Sequence, residues 1–296
     1  VSTPSVAEAS CLLAAGHKSK LCKEKEIFHP SLNEKGAVTI AISEAQKPFA
    51  PNVGELHLIG SGPGDLSYLT NDAKFALQRS VVWIGYSFYL DLIEPLRKDN
   101  QIRIDSQLTY EKDRCLKAID LAKQGIRVSL ISSGDSGIYG MAGLTLDLLL
   151  ESSQSDRPRL EIHPGISAMQ IAAARAGAPL MNDFCAISLS DKLTPWPQIK
   201  QRIIGAAIGD FVIAFYNPKS KERDWQLKES IMILRKHRPE KTPVLLARQL
   251  GREGEDIQFC LLDSVPLDTV DMLTIVLIGN SYSELKGGYL SSPRGY

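Results

Sequence analysis

The chain has 296 residues, 44% of them hydrophobic, which is enough to fill the cores of two ordinary domains. Its 34 basic residues balance 34 acidic ones, so no global charge argues for nucleic acid, and no apolar run reaches the roughly 18 residues of a membrane span. Five scattered cysteines (Cys11, Cys22, Cys115, Cys185 and Cys260), with no C-x-x-C pair and no histidine at zinc spacing, read as reduced thiols of a cytoplasmic protein without a metal site.

In chain order, residues 1–52 stand apart from the rest. Glu8 lies ahead of the apolar patch and basic residues follow it, the reverse of a secretory signal. "SVAEASCLLAAG" predicts one amphipathic helix and "GAVTIAI" (Gly36–Ile42) one strand, too few elements to close a core. A polar, proline-bearing linker, "AQKPFAPN", ends this disordered or loosely docked arm. From Val53 the pattern turns regular. Strand-like runs appear at "ELHLIG", "SVVWIGY", "IRID", "IRVSLIS" and "RLEIHPG", with helices at "TNDAKFALQRS" and "YEKDRCLKAIDLAKQG", the latter stopped by Gly125. Continuous apolar strands alternating with helices predict an α/β domain on a mostly parallel sheet, covered on both faces.

A second set follows a boundary near "ARAGAPL" (174–180). Its strands are "FCAISLS", "DFVIAFYNP", "TPVLLARQL", "DIQFCLL" and "DMLTIVLIGN", and its helices lie in "PWPQIKQRIIGAAIG" and "ERDWQLKESIMILRKHR". Two successive strands near the end lack a long helix between them, which implies antiparallel pairing and a mixed sheet. The expected division is therefore an arm over 1–52, α/β domains over 53–178 and 179–284, and a loose tail over 285–296.

Ligands of open α/β sheets sit beyond the carboxyl ends of strands. Three glycine-bearing stretches fall there: "GSGPGD" (60–65), "SSGDSGIYG" (132–140) and "HPGISA" (163–168). None has the lysine of a phosphate-binding loop, which disfavours a nucleoside triphosphatase. "GSGPGD" also fails as a dinucleotide fingerprint, because Asp65 stands at the third glycine and the acid expected near Ile84–Gly85 is missing from "VVWIGYS". One glycine-proline turn after a strand is most often only a turn; three at one sheet edge point to a site. Asp65 and Asp135 can each hold a turn or cap a helix instead of acting chemically.

Together, "GSGPGD", "SSGDSGIYGMAG", "HPGISAMQIAAARAGAPL", "DFCAISLSDKLTPWPQI", "DFVIAFYNPKSKERDWQL", "ARQLGREGE" and "VDMLTIVLIGNS" resemble the successive motifs of the tetrapyrrole methylase family, from about Val53 to Tyr282. "SLSDKLTPW", "YNPKSKERDW" and "GREGE" narrow the resemblance to the branch that methylates C17 of precorrin-3B in cobalamin biosynthesis. The arm is similar instead to the C-terminal end of the cobalt-precorrin-5A hydrolase family. That implies a fusion of two pathway enzymes, of which the arm keeps only the last part of the first and no hydrolase activity. A first residue Val1, without Met, fits a partial chain.

The resemblance implies two α/β domains with a ligand cleft between them and S-adenosyl-L-methionine bound in it. Carried over by motif, Pro63 lies beside this donor, while Ser133, Gly134 and Asp135, with Ile138, form a loop around its methionine part. Ser167 and Ala168 match a third contact, and Tyr216, Asn217 and Gly279 belong to the second domain's side. Ser136 departs from the proline of many relatives. The implied acceptor is C17 of a reduced tetrapyrrole, precorrin-3B or cobalt-precorrin-3, with methylation coupled to ring contraction. A homodimer is implied as well, with other cobalamin-pathway enzymes as candidate partners and neither nucleic acid nor membrane.

A sulfonium donor already carries its leaving group, so alignment and exclusion of water carry the reaction without a metal or nucleophile. Ring contraction needs proton transfers, for which Asp65 and Asp191 are the candidates. The carboxylates of the acceptor call for cations, and Lys192, Lys219, Lys221, Arg223, Arg248 and Arg252 cluster in the narrower motifs. Each also reads as a solvated surface charge. His163 and His237 read as structural, and Trp196 and Trp225 as packing anchors. Other regiospecificities, the related diphthine synthase and ribosomal-RNA methylase branches, and a non-catalytic tetrapyrrole carrier stay open as alternatives.

Overall fold

The computed structural model describes residues 5–15, 20–28, 38–44, 54–220 and 222–295, so the linker "AQKPFAPN" and Lys221 lie outside the described residues. The arm holds α1 (Val6–Ala15) and an antiparallel pair, β1 (Leu21–Phe28) with β2 (Val38–Ser43). Only one of these strands is expected from the sequence. β1 carries Lys23, Glu24, Lys25 and Glu26 in its middle and buries no face, so its pattern gives no strand signal.

The next elements are β3 (Glu55–Gly60), α2 (Asn71–Arg79), β4 (Val82–Tyr86), α3 (Ser87–Ile93), β5 (Ile102–Ser106), α4 (Glu111–Lys123), β6 (Arg127–Ser132), α5 (Ala142–Leu150) and β7 (Arg159–His163). The five strands form one wholly parallel sheet in the order β5-β4-β6-β3-β7. Leu56, Leu58, Val128 and Leu130 pack beneath α4 and α5, with Cys115, Ala118 and Ala122 filling in from α4. On the opposite face Ile59, Trp83 and Ile131 meet Ala73, Ala76 and Leu77 of α2 and Leu90 and Ile93 of α3. Both faces are thus covered, which is why the strands read as continuous apolar runs. Two helices, α3 and α5, go beyond the sequence reading. α3 leaves β4 without an intervening turn, and "AGLTLDLLL" of α5 is apolar on nearly every side, which hides its period.

α6 (Ala168–Ala176) and the two-residue β8 (Gly177–Ala178) lead into β9 (Phe184–Ser188), α7 (Trp196–Ile208), β10 (Val212–Tyr216), α8 (Gln226–Leu234), β11 (Pro243–Arg248), β12 (Asp256–Leu261) and β13 (Thr274–Ile278). The second sheet runs β12-β11-β13-β10-β9, with β9 and β10 parallel and every other pair antiparallel, a mixed sheet as expected. α7 and α8 cover one face. α6 covers the other, with Met169, Ile171 and Ala172 against Ala214, Leu245, Ala247 and Leu277. The chain therefore crosses between the two halves at residues 164–167, ahead of the boundary expected near 174–180.

The expected loose tail is instead a docked hairpin, β14 (Glu284–Lys286) with β15 (Tyr289–Ser291). β15 pairs with β8, and Leu290 is wholly buried against α6. A single apolar residue in a run of polar and glycine residues gives no period from which to foresee this. Among the described residues no helix is long and apolar enough to cross a membrane.

Candidate active site

Three loops leave the carboxyl ends of β3, β6 and β7, neighbours in the first sheet, so the sheet order alone brings them together. The first two are zipped by reciprocal bonds: Gly62 N–H donates to Gly134 O (3.1 Å) and Gly134 N–H to Gly62 O (2.7 Å). The third packs backbone against backbone on both. A Cβ on Gly60 would stand 2.5 Å from Gly165 N and 2.8 Å from Gly134 O, and one on Gly165 would overlap Gly134 O. Gly60 and Gly165 allow the close approach of the three chains, whereas Gly62 and Gly134 hold the positive φ (75° and 66°) that glycine alone adopts freely.

Asp135 ties the second loop to the third. Its Oδ1 accepts from Gly137 N–H at 2.8 Å, and its Oδ2 accepts from Gly165 N–H at 2.9 Å. The third loop ends in a capping box in which Ser167 Oγ accepts from Gln170 N–H and Gln170 Oε1 accepts from Ser167 N–H. Its sequence mark, Ser167 followed three residues later by Gln170, opens α6.

The second half meets these loops through side chains. Tyr216, the last residue of β10, accepts from Met169 N–H at 3.3 Å. Tyr139 reaches from the second loop to donate to Ala186 O (2.9 Å) and accept from Ser188 N–H (3.0 Å), its ring 5.1 Å from that of Tyr216. Arg252 donates from Nε to Pro63 O (2.8 Å) and from Nη2 to Ser133 Oγ (3.2 Å), and its guanidinium lies 4.9 Å from the Phe88 ring centre. Burial lowers the Arg252 pKa from its ordinary value. Burial likewise raises those of Tyr139 and Tyr216, keeping both phenols protonated at neutral pH.

Between the halves lies a cleft of about 820 Å³, its open mouth included. Pro63, Ser133, Gly134, Asp135, Ile138, Ser167, Ala168, Tyr216 and Asn217, each singled out in the sequence, line it, and Arg252 joins them. Asn217 has φ 51° and donates from Nδ2 to Ser188 Oγ at 3.0 Å. Asparagine is among the few side chains that tolerate this backbone. Leu250, Leu273, Thr274 and Ile275 also line the cleft and go unnoticed in the sequence.

Several expected site residues lie elsewhere. Gly279 follows β13, which runs antiparallel to β10, so Thr274 and Ile275 at the start of the strand reach the cleft and Gly279 sits at the far end. There its carbonyl accepts from Arg238 and its N–H donates to Pro243 O at 2.9 Å. Asp65 is exposed outside the cleft lining, and hydrogen bonds from Ser67 hold its carboxyl below the usual carboxylate range. It holds its own turn. Asp191 is likewise absent from the lining; it accepts from Gln226 Nε2 at 3.1 Å.

Arg223, expected to grip an acceptor carboxylate, is only 7% exposed and donates to Leu189 O and Asn217 O. It braces the loop that carries Asn217. Lys219 donates to Leu267 O, Lys192 is exposed, and Arg248 pairs with Asp271 at 2.6 Å. The Ser136 hydroxyl is buried without a hydrogen-bond partner among the described residues.

Glu255 anchors the loop that meets Pro63. It accepts from Arg175 Nε and from Gly251 N–H, both at 2.6 Å, and these bonds, the one from Arg175 foremost, hold its carboxyl below the usual range. A depressed carboxylate stabilises the fold fully above the unfolded carboxyl pKa of about 4.3, and the contribution is lost as pH falls through the folded value. Wild type is therefore expected to lose about 0.5–1 kcal/mol more than Glu255→Gln between pH 6 and pH 3. Urea denaturation across that range measures it, and parallel acid limbs would refute the assignment.

A sequence profile of the family described as Tetrapyrrole (Corrin/Porphyrin) Methylases matches residues 55–266. A protein of Salmonella typhimurium named probable cobalt-factor III C(17)-methyltransferase is 42% identical over 241 residues, covering 81% of this chain and 99% of that one. A protein of Sinorhizobium sp named precorrin-3B C(17)-methyltransferase is 41% identical over 228 residues, covering 77% and 89%. The crystal structure of the methyltransferase CobJ superposes with a TM-score of 0.78 at 35% identity, covering 81% of this chain and 100% of that one.

Proposed function

Because the chain belongs to the tetrapyrrole (corrin/porphyrin) methylase family, we propose that it transfers a methyl group from S-adenosyl-L-methionine to C17 of a tetrapyrrole intermediate of cobalamin biosynthesis, precorrin-3B or its cobalt-bearing counterpart. The observation that carries this reading is the cleft itself, walled by three interlocked loops of one sheet and closed by Tyr216 and Arg252 from the other.

The lining suits the donor. Pro63, Ile138, Ala168, Leu250 and Ile275 offer apolar walls for a nucleoside. Asp135 is the acidic side chain among the lining residues, and its charge favours a cationic ligand. At Gly134 a Cβ would meet nothing among the described residues nearer than Ser167 Cα at 3.7 Å, so the second loop presents bare backbone there. S-adenosyl-L-methionine, when bound, supplies a methyl group already activated on sulfonium sulfur. The protein's part is then to hold donor and acceptor in line and keep water out.

Arg252 is the expected acceptor-binding cation that reaches the cleft. With two of its N–H groups on Pro63 O and Ser133 Oγ, its fork is fixed in place for a carboxylate. Neither Asp65 nor Asp191 lines the cleft, so neither is assigned a proton-transfer role in ring contraction.

Isothermal calorimetry with S-adenosyl-L-methionine tests the reading. Saturable binding at one donor per chain is expected. No heat of binding, with the tetrapyrrole still bound, would leave a carrier rather than an enzyme.

A further inference from the structure

The register of β3 with β7 sets His57 opposite Glu161 and Ile59 opposite His163, all on the face beneath α2, and β7 is an edge strand. His57 is 1% and His163 6% exposed, in a layer that is otherwise apolar further along the sheet. His57 Nδ1 stands 3.0 Å from His163 Nε2, and Glu161 Oε2 lies 3.5 Å from the first and 3.8 Å from the second. The outer ring nitrogens are also engaged, His57 Nε2 with Glu55 Oε2 at 3.2 Å and His163 Nδ1 with Asp72 Oδ2 at 2.6 Å. Glu55 is itself fixed by Arg127 Nε at 2.5 Å.

We propose that His57, His163 and Glu161 form a site for a divalent transition-metal ion, Zn²⁺ or Co²⁺, separate from the donor cleft. Bonds of about 2.0–2.1 Å in tetrahedral geometry place ligand atoms roughly 3.3–3.4 Å apart. The three observed separations bracket that value, and the three donor atoms lie within 4.8 Å of one another. The surroundings match as well: each metal-bound imidazole normally hands its other N–H to a carboxylate, the part played here by Glu55 and Asp72.

The contacts Glu55–His57–His163–Asp72 leave the two inner ring nitrogens facing each other, with the Glu161 carboxylate beside both. With a metal, both rings are neutral, both outer N–H groups donate to carboxylates, and both inner lone pairs meet the ion.

Two imidazoles and one carboxylate suit Zn²⁺, Co²⁺ or Ni²⁺ rather than Mg²⁺ or Ca²⁺. Entry is from the sheet edge, where the Glu161 side chain is 31% and that of Asp72 65% exposed. His163 immediately precedes Pro164 and Gly165, so an ion here would fix the root of the third cleft loop, whose Pro164 O already accepts from Thr70 Oγ1 at 3.2 Å. His57 and His163 are 106 residues apart and only the strand order joins them, so the absence of histidines at zinc spacing in the sequence gives no sign of such a site.

The test is titration of chelator-treated protein with Co²⁺, read by the visible d–d bands of a bound, low-coordinate ion. One equivalent is expected to bind, to be displaced by Zn²⁺ and to raise the thermal midpoint. Glu161→Gln leaves the histidine pair in place and is expected to weaken Co²⁺ binding at least 10-fold. Asp72→Asn, which touches no metal, is expected to weaken it about 10–100-fold. Absence of the bands, or unchanged Co²⁺ affinity in both variants, would leave a proton-sharing histidine pair and overturn the proposal.

Discussion

Gly165→Ala is expected to abolish binding of S-adenosyl-L-methionine and to destabilise the fold by about 3 kcal/mol. The added Cβ would overlap Gly134 O and stand 2.6 Å from Gly60 O and 2.7 Å from Gly60 C. All of these are backbone atoms of loops fixed to strands β3 and β6, so no side chain can swing away to make room. Gly134 is further held by its two bonds to Gly62, which means that moving it unzips the first two loops. Gly143→Ala in α5 is the matched control, since nothing among the described residues lies within 4 Å of its Cβ. Alanine in a helix there should be neutral or stabilise by up to about 1 kcal/mol. Urea denaturation and donor calorimetry read both variants. A Gly165→Ala protein as stable as the control would mean that the three loops are not packed as described.

Asp135→Asn is expected to cost about 2 kcal/mol of stability and to weaken donor binding at least 10-fold. The carboxylate accepts two backbone N–H groups, Gly137 on one oxygen and Gly165 on the other. Asparagine has one oxygen to offer, so its amide nitrogen must face the second N–H, donor against donor. The variant also removes the negative charge of the cleft lining. Those two consequences separate experimentally: denaturation reports the lost loop tie, and the salt dependence of donor affinity reports the lost charge. Unchanged affinity would assign Asp135 a purely architectural part.

How much of this was legible in the sequence depends on how far each cause reaches along the chain. The strands of both sheets show as apolar runs because the cores on both faces demand it, and the loops that follow β3, β6 and β7 stand out by their glycines. The reason for those glycines was not legible, since Gly60, Gly134 and Gly165 meet only through the strand order. Gly279 lies at the far end of β13 from the cleft, because β13 runs antiparallel to β10 and so brings Thr274 and Ile275 to the lining instead.

Arg223 and Arg252 look alike in sequence, two arginines of the narrower motifs. Folding buries the first under Leu189 and Asn217 and delivers the second to Pro63. Residue type gives charge, but partners come from the chain's path. α6 illustrates the same limit. Its small apolar face fits either half, and only packing on Ala214, Leu245 and Leu277 shows that it serves the second sheet.

The most direct test follows the methyl group itself. The protein is incubated with S-adenosyl-L-methionine labelled with ¹³C in the methyl group and with precorrin-3B or cobalt-precorrin-3, and the product is read by mass and by ¹³C NMR. One added methyl per acceptor, with the label on C17, is the expected result. Label on any other ring carbon, or no transfer to either acceptor by protein that binds the donor, would contradict it.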